Sequence, residues 1–365
     1  MLNRKEELNN LYYNPEQVIR SGKFINFILS TRSKGKTFAF SRYCIKKFIE
    51  DGSQFIYMRR FVDECDLGCS TFFDEVSEKF PGHTFKLGSF EVNEAKKERG
   101  QKIGLKITTF LIDGKVAGYG VPLQRVGKVK SVKFTNVKTL FFDEFLPDTN
   151  QFLGGIQNSL KDPFLFFSFV STVARGGGEV FRSDLRCFLT ANTISIANPY
   201  FIYCNLTHLI RPESKLIKTD DGYLIQIIKD KGIMNEVLKS EAGRAIARTA
   251  YFNYAYKGEF SDDSRNLIGK PASMGWYVMT VIVDGKVYGI RECPDDGVIY
   301  ISKNSEDSCN RIYTLTKKDH SVNTIMLQRF GADPDTKRIK KEYQNGNCLF
   351  DSFETKIAFE TIMMM

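Results

Sequence analysis

The sequence predicts an α/β fold, a mostly parallel sheet with flanking helices, followed by a smaller α+β domain. Three observations carry this expectation. An apolar run, Phe24–Leu29, stops at a short basic loop and gives way to an amphipathic segment, Thr37–Ile49, the pattern of buried strand, loop and helix. Further apolar runs at Gln54–Arg60, Val137–Phe142 and Arg186–Leu189 are separated by helical patterns, as parallel strands with crossover helices are. From Trp276 onward the pattern becomes an alternation interrupted by a turn at Asp284-Gly285, which reads as a separate unit.

Composition bounds the class. The 365 residues are enough for two domains, and 42% hydrophobic content with 31 Phe describes a core-rich, folded chain. Lys+Arg 52 against Asp+Glu 43 leaves a formal charge of +9, which favours a polyanionic partner although no long basic tail is present. No apolar run approaches the roughly 20 residues of a membrane-spanning helix, and MLNRKEELNN is too polar for a signal peptide, so the expectation is a cytosolic protein with no membrane role. The eight cysteines contain no C-x-x-C pair. Cys65 and Cys69 would be half of a zinc site without a second half, and the three His stand apart, so reduced thiols are expected.

Taken in order, residues 1–22 are polar and read as helical, with Asn14-Pro15 as a turn or helix start. After the first strand, the loop Ser30–Lys36 and the helix Thr37–Ile49 comes a second buried strand, Gln54–Arg60, which ends on two arginines. A helical stretch, Phe61–Phe80, follows. Thr84–Val92 and Lys102–Val121 alternate, the latter broken by the hairpin signal Asp113-Gly114, and form a β-rich insertion. Val137–Phe142 is a largely apolar strand that runs into Asp143-Glu144. Residues 157–174 suit a helix stopped by Arg175-Gly176-Gly177-Gly178, and Arg186–Leu189 opens a strand that closes at Thr190-Ala191-Asn192. Charged stretches and scattered lysines then mark 211–268 as a linker or hinge, with a helix over Glu236–Tyr254 that Asn235 would cap. Beyond it, Tyr277–Val283, Val287–Arg291 and Val298–Ile301 are strands and Cys348–Met364 is helical. The expected divisions are 1–210, 211–268 and 269–365.

The chemistry is concentrated in two places. Ser33, Lys34, Gly35, Lys36 and Thr37 follow the phosphate-loop motif G-x-x-x-x-G-K-[ST], in which backbone N–H groups and a helix N-terminus receive anionic oxygens. Lys36 is placed for β/γ-phosphates and Thr37 for Mg²⁺. Ser30 stands where the motif has its first glycine. An apolar strand ending in Asp-Glu is the complementary pattern: Asp143 would hold Mg²⁺ and Glu144 would orient and deprotonate a water. Asn192, at the polar end of a later strand, is placed to sense the γ-phosphate. Together these predict ATP and Mg²⁺ as ligands. Hydrolysis also needs a cation on the transferring phosphate, which in ring-shaped ATPases a neighbouring subunit supplies. Arg175 is the first candidate, with Arg182, Arg186, Arg59 and Arg60 as competitors.

The segments SKGKTFAF, QFIYMRRF, TLFFDEF, STVAR, RCFLTANTISIANPYF and RIYTLT resemble the genome-packaging (DNA encapsidation) ATPases of small short-tailed phages with protein-primed linear DNA, relatives of terminase large subunits. The likeness covers most of the chain in register, and Asn198–Phe201 with Arg59-Arg60 are its most specific parts. It implies a P-loop ASCE ATPase domain, a linker, and a C-terminal RNase H-like domain resembling a vestigial nuclease. It implies a pentameric ring on the portal of a procapsid in the host cytoplasm, absent from the mature virion, acting on double-stranded DNA, with a packaging RNA as a further candidate partner. By the same likeness Lys36, Thr37, Asp143 and Glu144 carry ATPase roles, Arg175 is the finger acting in trans, and Lys130 is a second residue acting in trans. The chain departs from the family at Ser30, in a longer loop from Gly176 to Leu185, and at Pro147-Asp148-Thr149, where relatives carry a basic segment.

Two other readings compete. A terminase large subunit with a working nuclease would need about three converging carboxylates, for which Asp284, Asp351 and Glu354 are the candidates. A non-enzymatic nucleic-acid-binding scaffold would have a phosphate loop degenerate at Ser30; separately, the run 337–341, with Lys317 and Lys318 upstream, is a cationic stretch suited to DNA or a packaging RNA, or to a solvated helix face.

Overall fold

The computed structural model describes residues 11–74, 76–92, 97–98, 101–102, 105–129, 132–147, 153, 160–175, 180–192, 196–210, 214–228, 232–249, 252, 256, 267–283, 285–306 and 309–364. They form two compact units, one from the described residues within 1–155, 160–194 and 211–259, the other from those within 196–210 and 260–365.

The first unit is built on a nine-stranded sheet. In chain order its strands are β1 (Ile25–Ser30), β2 (Gln54–Met58), β3 (Phe85–Val92), β6 (Leu105–Ile112), β7 (Lys115–Gly120), β8 (Val137–Asp143), β9 (Arg186–Asn192), β10 (Leu216–Lys218) and β11 (Tyr223–Ile228), while β4 (Lys97–Glu98) and β5 (Gln101–Lys102) pair only with each other. The spatial order is β10-β11-β1-β9-β8-β2-β7-β6-β3. From β11 to β7 every pair is parallel, and the antiparallel additions lie at the edges. Strands of such a sheet are covered on both faces, which is why β1 is buried at all six positions. One strand, β9, separates β1 from β8, as the ASCE class of P-loop domains requires.

The helices of this unit are α1 (Glu16–Ser21), α2 (Lys36–Asp51), α3 (Val62–Thr71), α4 (Lys161–Ala174) and, later, α6 (Gly232–Lys239) and α7 (Glu241–Ile246). The apolar stripe of α2, which includes Ala39, Phe40, Cys44 and Ile45, faces the sheet. Phe40 stacks on Phe188 of β9 at 4.8 Å between centroids and tilts against Phe141 of β8 at 5.5 Å, so one ring fixes the helix over the strands that carry the acidic end. The Asp113-Gly114 turn has both residues at positive φ, 51° and 74°, as a type I′ hairpin between β6 and β7 demands.

Several expectations change. The stretch assigned to a linker begins inside the large sheet: β11 runs beside β1 from Ile25↔Tyr223 to Ser30↔Ile228. Its lysines had obscured this, yet Lys215 and Lys218 lie at exposed positions of the edge while Leu224, Ile225 and Ile227 are buried. Residues 196–210 also belong to the second unit, whereas the expected boundary stood at residue 210. The single helix over 236–254 is instead α6 and α7, because the Ser240 hydroxyl accepts the Gly243 N–H at 2.9 Å and starts a new helix; Asn235 lies inside α6. The stretch 61–80 is helical only to Thr71, with a 3₁₀ turn at Ser77–Lys79.

The second unit contains α5 (Pro199–Tyr203), β12 (Trp276–Val283), β13 (Lys286–Cys293), β14 (Val298–Ser302), β15 (Ile312–Thr314), β16 (Ile325–Met326), α8 (Pro334–Gln344), β17 (Cys348–Phe350) and α9 (Phe353–Met364). The order β16-β15-β12-β13-β14-β17, with β12 to β14 antiparallel and β15 and β16 parallel to β12, is the RNase H-like arrangement plus one strand. That extra strand corrects the C-terminal expectation: Cys348–Phe350 pairs in parallel with β14, buried at Cys348 and Phe350, and helix begins only at Phe353. Asn198 caps α5 by accepting the Phe201 N–H at 3.0 Å, with Pro199 in the first turn, which gives the 198–201 segment a structural reason.

Candidate functional site

The carboxyl ends of β1, β9 and β8 lie side by side, and in parallel sheets this is where ligands bind. Register does the placing: Ser30 sits opposite Asn192, and Asp143 opposite Thr190. The loop after β1 turns at Ser33, φ 59°, and Gly35, φ 78°, rather than at Ser30. Gly35 is therefore the position that needs glycine, and a Cβ there would also meet the Tyr12 ring at 3.2 Å. Gly35 caps α2, whose first N–H groups point back into the loop. Lys36 Nζ donates to Ser30 Oγ at 2.6 Å and to the Thr31 carbonyl at 3.1 Å. Burial pushes the Lys36 ammonium down to about 8, against the pull of Asp143 and Glu144.

Across 106 positions of sequence, Thr37 Oγ1 donates to Asp143 at 3.0 and 3.1 Å. Thr190 Oγ1 donates to Asp143 Oδ1 at 2.7 Å. A hydroxyl and a buried carboxylate in contact are the hard oxygen donors that Mg²⁺ takes, and with the helix N-terminus beside them the residues present fit a magnesium-bound triphosphate. Glu144 follows at φ 55°, with its side chain 54% exposed. Arg59, at the end of β2, bridges the acidic pair: its guanidinium lies 3.0 Å from Asp143 Oδ2 and 2.5 Å from Glu144 Oε2, and Nε donates to the Tyr57 hydroxyl at 2.9 Å. Burial works against the Arg59 charge, yet Asp143, Tyr57 and Glu144 outweigh it and hold the guanidinium charged.

The structure thus brings together Ser33, Lys34, Gly35, Lys36, Thr37, Asp143, Glu144 and Asn192 at one end of the sheet. It separates the arginine candidates. Arg59 and Arg60 are engaged within the subunit. Arg182 is buried, donating to the Phe134 and Thr135 carbonyls and pairing with Asp184. Arg186 donates to the Ser183 and Leu185 carbonyls. Arg175 ends α4, exposed, with Nε on the Ser171 carbonyl at 3.0 Å. Lys130, Gly176, Gly177, Gly178 and Asp284 lie outside the described residues. Sequence reasoning missed Arg59 as a clamp on its own acidic pair, and it missed Thr190; an arginine closing a strand gives no signal of which way it turns.

In the second unit Lys303 occupies both remaining nuclease candidates, its N–H donating to Asp351 at 2.9 Å and its Nζ lying 3.1 Å from Glu354. Among the described residues no group of three His, Cys, Asp or Glu is placed to hold a metal. The basic run 337–341 is also partly spent on the fold: Arg338 donates to both Glu292 oxygens at 3.0 Å, Lys340 to the Met363 carbonyl at 2.8 Å, and Ile339 is buried.

The model of the podovirus DNA encapsidation protein (Gp16) family matches residues 8–365. The chain is 28% identical over 358 residues to the DNA packaging protein of Bacillus phage phi29, covering 97% of this chain and 98% of that one. It is 28% identical over 330 residues to the DNA packaging protein of Bacillus phage B103, covering 90% and 93%. Among solved structures it is similar to the bacteriophage phi29 viral genome packaging motor assembly, with a TM-score of 0.63 over 97% of this chain and 100% of that one at 28% identity.

Proposed function

The chain belongs to the podovirus DNA encapsidation (Gp16) family, and from that premise we propose that it is an ATP-hydrolysing motor that moves double-stranded viral DNA into a preformed capsid. The observation that carries the reading is the 3.0 Å contact between Thr37 and Asp143, with Lys36 on the adjoining phosphate loop. Packaging as the task rests on the family and on the phi29 and B103 relatives. A ring on the procapsid portal is supported by the likeness to the phi29 motor assembly. Five subunits, a packaging RNA and a host-cytoplasmic location belong to the same proposal. Among the described residues no helix is long and apolar enough to cross a membrane.

In this mechanism Lys36 exchanges Ser30 Oγ for phosphate oxygens, and Thr37 and Asp143 would hold Mg²⁺, which would neutralise developing charge on the phosphate oxygens. Arg59 releases Glu144, which takes a proton from the attacking water as the bond from the γ-phosphorus to its bridging oxygen breaks. Asn192 contacts the γ-phosphate. Arg175 of a neighbouring subunit, with Lys130, adds positive charge in trans. Grip on the DNA backbone is independent of sequence. The engagement of Asp351 and Glu354 by Lys303 favours a vestigial nuclease fold over an active one. The test is ATP turnover with and without double-stranded DNA. Glu144→Gln should bind ATP and lose about 10²-fold or more of its DNA-stimulated turnover. Full turnover in that variant overturns the mechanism.

A further inference from the structure

Next to Arg59 stands Arg60, at 2% side-chain exposure, facing Asp162 at 0%. Arg60 Nε donates to Asp162 Oδ2 at 2.9 Å, and Nη2 donates to two successive carbonyls, Glu144 at 3.3 Å and Phe145 at 2.5 Å. The other Asp162 oxygen accepts the Leu153 N–H at 2.9 Å, and the Phe145 N–H donates to the Thr190 carbonyl at 3.1 Å. Asp162 lies in the first turn of α4, the helix that ends at Arg175.

A buried ion pair is a poor route to stability, because desolvation offsets most of its attraction. This one is spent on a particular piece of backbone. Glu144 holds φ 55°, a left-handed conformation that is strained for a non-glycine residue and persists only where its surroundings impose it. A planar guanidinium can present N–H groups to a carboxylate on one side and to carbonyls on another, which an ammonium cannot do as well. We propose that Arg60, fixed by Asp162, is the positioning residue that holds the Glu144 turn, so that the carboxylate is aimed whenever Arg59 lets it go. Arg59 governs the side chain and Arg60 the backbone beneath it. The inference rests on Glu144 being the base.

The experiment compares wild type, Glu144→Gln, Arg60→Lys and the double variant Arg60→Met with Asp162→Leu, which removes both charges together and so leaves neither stranded. The readouts are kcat for DNA-stimulated ATP hydrolysis and the Kd of a fluorescent ATP analogue with Mg²⁺. The double variant should lose about 30-fold or more in kcat with Kd within about threefold of wild type, and Arg60→Lys should lie between the two. Wild-type kcat in the double variant overturns the role, as does a parallel loss of affinity and turnover, the signature of general damage. If the double variant does not fold, Arg60→Lys decides: lowered kcat at unchanged Kd supports the role and unchanged kcat overturns it. Activity in Glu144→Gln would instead remove the base assignment itself, independently of Arg60.

Discussion

Ser30 takes the place of a motif glycine, and its backbone explains why a Cβ is tolerated there. The left-handed positions of the loop are Ser33 and Gly35, so Ser30 carries no backbone strain. What it adds is a hydroxyl that accepts from Lys36 at 2.6 Å, in competition with phosphate. A hydrogen bond of this kind has a net value of about 1 kcal/mol, so Ser30→Gly should tighten MgATP binding by about fivefold in a fluorescence titration. Unchanged or weaker binding would mean that Lys36 leaves Ser30 without cost. At this scale the sequence was explicit about Lys36, Thr37 and Asp143, whose residue types are dictated by phosphate and magnesium chemistry. It was silent about Arg59 and Arg60, because a strand that ends in two arginines reads the same whether they reach a neighbouring subunit or fold back over Asp143 and Asp162.

At the scale of elements, the site depends on α2 being seated over β8 and β9. Phe40 seats it, through Phe188 and Phe141. Phe40→Ala should cost about 3–5 kcal/mol in urea unfolding, from lost transfer energy and the cavity left behind. A loss below about 1 kcal/mol would show that α2 is held elsewhere. Elements buried on both faces were legible as continuous apolar runs: β1, β2, β8 and β9 all stood out. Elements near the sheet edge were not. Exposed Lys215 precedes β10 and exposed Lys218 ends it, and the charged residues around β11 dilute its short apolar run, so strands looked like a linker. The break between α6 and α7 hinges on one serine hydroxyl, a local choice that periodicity does not register.

For the whole molecule, the claim is that one subunit's site is completed by another. Arg175→Ala and Lys36→Ala should each be inactive alone, and mixing them should restore part of the wild-type turnover, since Lys36→Ala subunits lend an intact arginine to neighbours with an intact phosphate loop. No recovery on mixing would assign the finger to another residue. The two-unit plan and the RNase H-like second sheet followed from the change of pattern near Trp276 together with the family likeness, whereas the place of β11 in the large sheet emerged only from its pairing with β1. The measurement that bears most directly on the central claim is a crystal structure with magnesium and a non-hydrolysable ATP analogue. The account predicts Lys36 Nζ moved from Ser30 Oγ onto the phosphates, and the metal held by Thr37 and Asp143. Nucleotide bound elsewhere, or Lys36 still on Ser30 beside an occupied cleft, would contradict it.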